Sequence, residues 1–313
     1  MPAFTAVAPG KVILFGEHAV VYHRPAIAVP LSQIRARVVV EPDPRGASGQ
    51  VRVLAPDIGL DARLEELPDG HPLAVALRGV CRQLKVSRAP ACQVRISSTI
   101  PVASGFGSGA AVSVALIRAF AAFLGRPLPD EQVSELAFEV EKIHHGTPSG
   151  IDNTVITYAM PVYYQRGQPP QRFIIPHPFT LVIGDTGIAS PTAAVVADVR
   201  RAWQANPDQY DTYFDAISRV VQSARQAIES GMNERLGRLM QENQALLRQI
   251  GVSSPELERL ILAAEAAGAL GAKLSGAGRG GNMLALAEPE RSEAVARALL
   301  AAGAARAIIS QVK

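Results

Sequence analysis

The stretch Pro101-Val-Ala-Ser-Gly-Phe-Gly-Ser-Gly-Ala-Ala111 constrains this chain more than any other. Glycines at 105, 107 and 109 stand directly before a run from Ala110 to Phe120 that has no breaker and is rich in helix formers. That run predicts a helix starting near Ser108. Ahead of the loop, in residues 92–99, Val94 and Ile96 alternate with polar residues as a half-buried strand requires. A strand, a glycine loop and a helix in this order can turn several backbone N–H groups and the positive end of a helix dipole towards one anion. This is a phosphate-binding arrangement. The spacing fits neither Gly-x-x-x-x-Gly-Lys-Ser/Thr nor a complete Gly-x-Gly-x-x-Gly, which argues against P-loop and Rossmann folds. Taken alone, the loop reads better as a tight turn that uses glycine for positive φ.

The rest of the chain limits the classes open to it. Its 313 residues, 48% of them hydrophobic, suffice for two packed domains or for one large one. A net charge of +3 without a Lys/Arg block, together with a single Trp, is no nucleic-acid footprint and suits an anionic small substrate. Cys81 and Cys92 are the only cysteines and lack metal-binding spacing, so a reducing, cytoplasmic setting is expected. Pro9, Gly10 and Lys11 interrupt the N-terminus before any leader-like apolar region, and no apolar run is long enough to span a bilayer. A soluble protein is expected.

In chain order, residues 4–16 read as a strand, a turn at Pro9-Gly10 and a second apolar stretch. Residues 26–29, 34–40 and 51–54 continue the β pattern, and Pro72 to Leu84 reads as a helix. A helix from Asp130, as N-cap, to about His144 carries an apolar stripe of Val133, Leu136, Ala137, Val140 and Ile143. Strands are expected at 153–158, 161–165, 171–175 and 180–185. Helices follow near 193–204, 208–230, 232–250 and 255–268, punctuated by Pro207, Gly231 and Gly251, with Pro255 at N1. A closing β-α-β section covers 271–310. The change in composition divides the chain into an N-terminal domain, 1–178, and a C-terminal domain, 179–313.

Three further stretches carry chemistry. Lys11 opens the apolar segment Val12-Ile-Leu-Phe15, where a charge is costly unless something anionic meets it; a strand-end lysine reaching solvent is the plain alternative. Glu141 stands in the last turn of a helix, where the dipole disfavours a carboxylate and a cation partner is suggested. Asp152 follows a Pro/Gly turn that can bring both carboxylates to one pocket, where one could hold Mg²⁺ and the other act as a base. His144 and His145 point apart on a helix and have no third ligand, so zinc is rejected. Lys273-Leu-Ser-Gly-Ala-Gly-Arg-Gly-Gly281 is a second glycine-dense loop.

Together, in this order, the four stretches resemble the GHMP small-molecule kinases. The family's ATP loop, Pro-x-x-x-Gly-Leu-Gly-Ser-Ser-Ala-Ala, is matched at 101–111 with Phe106 for Leu and Gly109 for the second Ser. Its third motif, Lys-x-Thr/Ser-Gly-Ala-Gly-x-Gly-Gly, is matched by Lys273 to Gly281, with Asn282 where a Cys often follows. Residues 8–21 and 145–153 are most similar to the mevalonate kinase branch. The resemblance implies an α+β, two-domain GHMP-kinase fold with the active site in the cleft between the domains. It implies ATP and Mg²⁺ as cofactors and mevalonate as substrate, phosphorylated to 5-phosphomevalonate in isoprenoid biosynthesis. Another small alcohol, such as phosphomevalonate, and a non-catalytic nucleotide-binding relative stay open as alternatives.

By the same resemblance Asp152 is the base, and Lys11 keeps it ionised and offsets phosphoryl charge. Pro101, Ser104, Gly105, Phe106, Gly107, Ser108, Gly109 and Ala110, with Gly276 and Gly278, bind ATP. Glu141 and Ser108 hold the metal, and Glu17, His18, His145, Asp152 and Thr192 face the substrate. A basic residue usual in the segment before that Thr is replaced by Gly187. The partners implied are small molecules, with no nucleic acid and no membrane, and a homodimer is left open.

Overall fold

The computed structural model describes residues 2–101, 105–145, 148–190 and 192–313. The elements are, in chain order, β1 (Phe4–Phe15), β2 (Pro25–Pro42), β3 (Val51–Ala55), β4 (Leu60–Arg63), α1 (Pro72–Gln83), β5 (Cys92–Ser98), α2 (Ser108–Phe123), α3 (Asp130–His145) and α4 (Ile151–Tyr158). They continue with β6 (Val162–Gln165), β7 (Gln171–Arg172), β8 (Phe179–Asp185), α5 (Thr192–Ala205), α6 (Pro207–Glu229), α7 (Asn233–Ile250) and α8 (Pro255–Ala266). Last come β9 (Gly271–Ser275), β10 (Asn282–Ala287), α9 (Pro289–Ala301) and β11 (Arg306–Val312).

Two compact units emerge. The first holds residues 1–10, 34–102 and 106–159, and the second holds 11–33, 103–105 and 160–313. In the first, β5 pairs antiparallel with β2, β3 pairs parallel with β5, and β4 pairs antiparallel with β3. Val38, Val40, Val94 and Ile96 are buried while Arg37 and Arg95 point to solvent, so one face of this sheet is core and the other is wet. The helices α1, α2, α3 and α4 pack on one another. Ala110, Ala111, Val114, Leu116, Ile117 and Phe120 make α2 apolar nearly all round, which suits its central place among them. Cys92 lies buried on β5, and burial pushes its thiol up to about 12.

In the second unit the strand order is β11-β8-β10-β9, all antiparallel. Every residue of β8, β9 and β10 is buried, as in a sheet covered on both faces, which is why these strands read as continuous apolar runs. The helices α7, α8 and α9 pack on these strands, and α6 pairs with α7. The leading part of β2 and the short strands β6 and β7 pair within the same unit.

Three expectations are corrected. Residues 4–15 form one unbroken strand, with no turn at Pro9-Gly10. Gly10 serves a close approach, because a Cβ there would stand 3.0 Å from the Ile34 side chain and 3.2 Å from the Phe106 carbonyl oxygen. Residues 153–158 are helical, not extended. Their β-branched side chains favour a strand, but burial of Val155, Ile156 and Thr157 against α2 and α3 overrides that preference. The strand expected at 171–175 shortens to the two residues of β7.

Candidate active site

The loop before α2 owes its course to two left-handed glycines, Gly105 (φ 79°) and Gly107 (φ 71°). Between them Phe106 is buried and acts as an anchor. Gly107 is the N-cap of α2 and, having no side chain, caps none of the first-turn amides of Ser108, Gly109 and Ala110 itself. Ala110 is buried while Gly109 is exposed, so one edge of this turn is core and the other is open. Pro101 lies half-buried ahead of the loop, and Ser104 falls outside the described residues. The start of a helix, where first-turn amides and the dipole point the same way, is the kind of place that accepts an anion.

Two carboxylates stand on helices packed beside α2. Glu141, near the end of α3, is only 6% exposed. Asp152 is half-buried in the first turn of α4, where the dipole favours a negative charge. Gly150, at φ 86°, opens that helix as its N-cap. The neighbour of Asp152 fixes the turn: Asn153 Nδ2 donates to the Ser134 carbonyl at 3.1 Å and to its hydroxyl at 2.9 Å. The amide of Asn153 therefore keys the turn bearing Asp152 to α3. Sequence reasoning did not single out Asn153 or Ser134; a buried polar residue beside a charged one was the available signal. The side chains of His144 and His145 lie outside the described residues.

In the second unit Lys11 is buried within β1. At the end of that strand Gly16, φ 97°, makes a turn in which a Cβ would fall 2.5 Å from the Pro25 carbonyl oxygen. The turn delivers Glu17 and His18 inward. Glu17 is almost fully buried and forms an ion pair with Lys273 of β9, which is buried completely. Lys273 Nζ also donates to the Leu274 carbonyl at 2.6 Å, while Glu17 Oε2 has no partner among the described residues. Burial outweighs the mutual attraction, pushing the Glu17 carboxyl up and the Lys273 ammonium down. Glu17 thus has an internal partner, and nothing in the spacing of residues 17 and 273 marks them as a pair.

His18 adopts a left-handed backbone (φ 60°), and its Nε2 donates to the Ala277 carbonyl at 2.9 Å. That bond places the ring proton on Nε2, and burial lowers the pKa, so the ring is held neutral. Ser275 Oγ donates to the Ile13 carbonyl at 2.7 Å. The glycine loop that follows is left-handed at both Gly276 (φ 87°) and Gly278 (φ 81°). A Cβ on Gly276 would meet nothing within 4 Å, so its backbone is open to a ligand. Thr192 is the exposed first residue of α5. Among the described residues no group of three or more His, Cys, Asp or Glu could hold a metal, and no helix is long and apolar enough to cross a membrane.

The model of the GHMP kinases N terminal domain matches residues 73–160, and that of the GHMP kinases C terminal domain matches 224–305. The mevalonate kinase of Thermococcus gammatolerans is 39% identical over 320 residues, covering 95% of this chain and 93% of that protein. The crystal structure of L. major mevalonate kinase in complex with R-mevalonate superposes with a TM-score of 0.84 at 34% identity, covering 99% of this chain and 95% of that one. The Methanococcus jannaschii mevalonate kinase structure gives 0.85 at 25% identity, covering 100% and 98%.

Proposed function

The chain belongs to the GHMP kinases, and we propose that it transfers the γ-phosphoryl group of ATP to the C5 hydroxyl of mevalonate, a step of isoprenoid biosynthesis. The observation that carries this reading is likeness over nearly the whole chain to mevalonate kinases, one of which was solved with R-mevalonate bound.

The residues supply a sufficient chemistry. Phosphoryl transfer asks for positioning and for stabilisation of charge on the transferring group, with little covalent work by the protein. The amides of residues 105–110, with the backbone at Gly276 and Gly278, cradle the ATP phosphates. Asp152 takes the proton from the substrate hydroxyl as that oxygen bonds to the γ-phosphorus and ADP leaves. Lys11 offsets negative charge on the phosphoryl oxygens. His18 and Thr192 line the substrate side, and Glu17 serves it by holding the turn through Lys273.

The buried carboxylate of Glu141 suits Mg²⁺, which keeps several waters and binds largely through substrate phosphates. Glu141 and the Ser108 hydroxyl would hold it, and it would neutralise phosphate charge. Gly109 brings no hydroxyl to that ligand set.

An ADP-release assay over a panel of alcohols tests the reading. Mevalonate should far exceed galactose, homoserine and phosphomevalonate, and comparable rates on phosphomevalonate would overturn the substrate assignment. Asp152→Asn should lower kcat by roughly 10²-fold or more while ATP binding is retained. Near-wild-type turnover in that variant would remove Asp152 from the mechanism.

A further inference from the structure

The glycine loop 276–281 is anchored at its leading end by Ser275 and His18, as described above. Its far side is bound more tightly still, to the segment that leaves β8 and enters α5. The backbone N–H of Thr186 donates to the Gly281 carbonyl at 2.9 Å, and the Thr186 hydroxyl donates to the same oxygen at 2.8 Å. In return the Gly281 N–H donates to the Ile188 carbonyl at 2.8 Å. Ser190 Oγ donates to the Gly278 carbonyl at 2.7 Å. Arg279, the one non-glycine residue with positive φ (54°) in this loop, pairs with Asp198 of α5 at 2.5 Å.

The contact has no slack. A Cβ on Gly280 would fall 2.8 Å from the Ile188 carbonyl oxygen, and one on Gly278 would fall 2.0 Å from that of Val252. Backbones this close cannot shift independently. Ser190 is the hinge pin of the arrangement. Its hydroxyl holds the phosphate-side loop at Gly278, and its carbonyl accepts the N–H of Thr192 at 2.8 Å. Two hydrogen bonds therefore join a substrate-side residue to a phosphate-side glycine.

We infer that Ser190 is a positioning residue that joins the segment 185–190 and Thr192 to the glycine loop 276–281 as one mechanical piece, so that ATP and mevalonate tighten each other's binding. The inference rests on the function proposed above and adds to it a route of coupling. A ligand that fixes Gly278 fixes Thr192 through Ser190, and linkage makes the effect equal in both directions.

Calorimetric titration of the full-length protein tests this, using a non-hydrolysable ATP analogue and mevalonate, each alone and with the other saturating. In the wild type each ligand should tighten the other by at least about 5-fold, the low end of ordinary coupling. In Ser190→Ala that factor should fall close to one, while either ligand alone binds within about threefold of wild type. Ser190→Thr, which keeps the hydroxyl, should restore it. Thr186→Val removes a parallel bond and should reduce the factor in its own right, should the Ser190→Ala protein fold poorly. A wild-type factor of one overturns the inference, as does an unchanged factor in a folded Ser190→Ala protein or, should that variant fold poorly, an unchanged factor in Thr186→Val. Equal weakening of both ligands with the factor preserved also overturns it, since that is local damage. Failure of the wild type to bind mevalonate at all would overturn the substrate reading, whereas binding of both ligands without coupling would overturn this inference alone.

Discussion

Lys273 and Glu17 hold opposite charges where water scarcely reaches, so each depends on the other. Lys273→Met leaves a buried carboxylate without its cation and should destabilise the protein by about 3–5 kcal/mol in urea unfolding. Adding Glu17→Gln to that variant should recover most of the loss, because it is the unpaired charge that is costly. His18 adds a pH dependence. Its ring has a pKa of 6.5 in the unfolded chain and a lower one in the fold. Between those two values the unfolded state binds the extra proton, so stability should fall as pH drops below about 6.5 and level off under the folded pKa. His18→Gln should flatten this slope in urea midpoints compared at pH 7.5 and 5.5, and an unchanged slope would show that another group carries the dependence.

At the level of elements, α7 meets β9 backbone to backbone. A Cβ on Gly237 would lie 2.3 Å from the Leu270 carbonyl oxygen, and one on Gly271 would lie 2.0 Å from that of Gly237. Replacing glycine by alanine inside an open helix gains about 1 kcal/mol. Here Gly237→Ala should instead cost about 1–3 kcal/mol, because the helix must retreat from the strand. The sign of the change in thermal midpoint decides between them.

Elements with a long, clear period were legible in the sequence: α1, α2, α3 and the run from α5 to α9 stand within a few residues of where their patterns put them. The helix α4 was not, since eight residues with Val155, Ile156 and two threonines carry a strand's composition and only their burial decides otherwise. Gly10 likewise reads as a turn until its neighbours are seen.

Across the whole molecule, residue types and spacing told which chemistry to expect but not which side chains meet. Composition shows a lysine at 273 and a glutamate at 17, and 256 residues separate them. Only the fold makes them partners. Ser190 and Thr186 carried no signal of their own, because a serine or threonine bound to a backbone carbonyl resembles any loop hydroxyl. The two cysteines, by contrast, were visible from the outset, and both belong to the first compact unit. The Cys92 thiol, raised to about 12, has almost no thiolate at neutral pH, and burial raises Cys81 as well. Unfolding returns both towards an ordinary thiol. A maleimide or disulfide reagent applied to the unmodified protein is therefore a clock for the opening of that unit alone. Residues 160–313, which contain no cysteine, are silent to it, so the opening of the first unit is timed without interference from the second and without introducing a label.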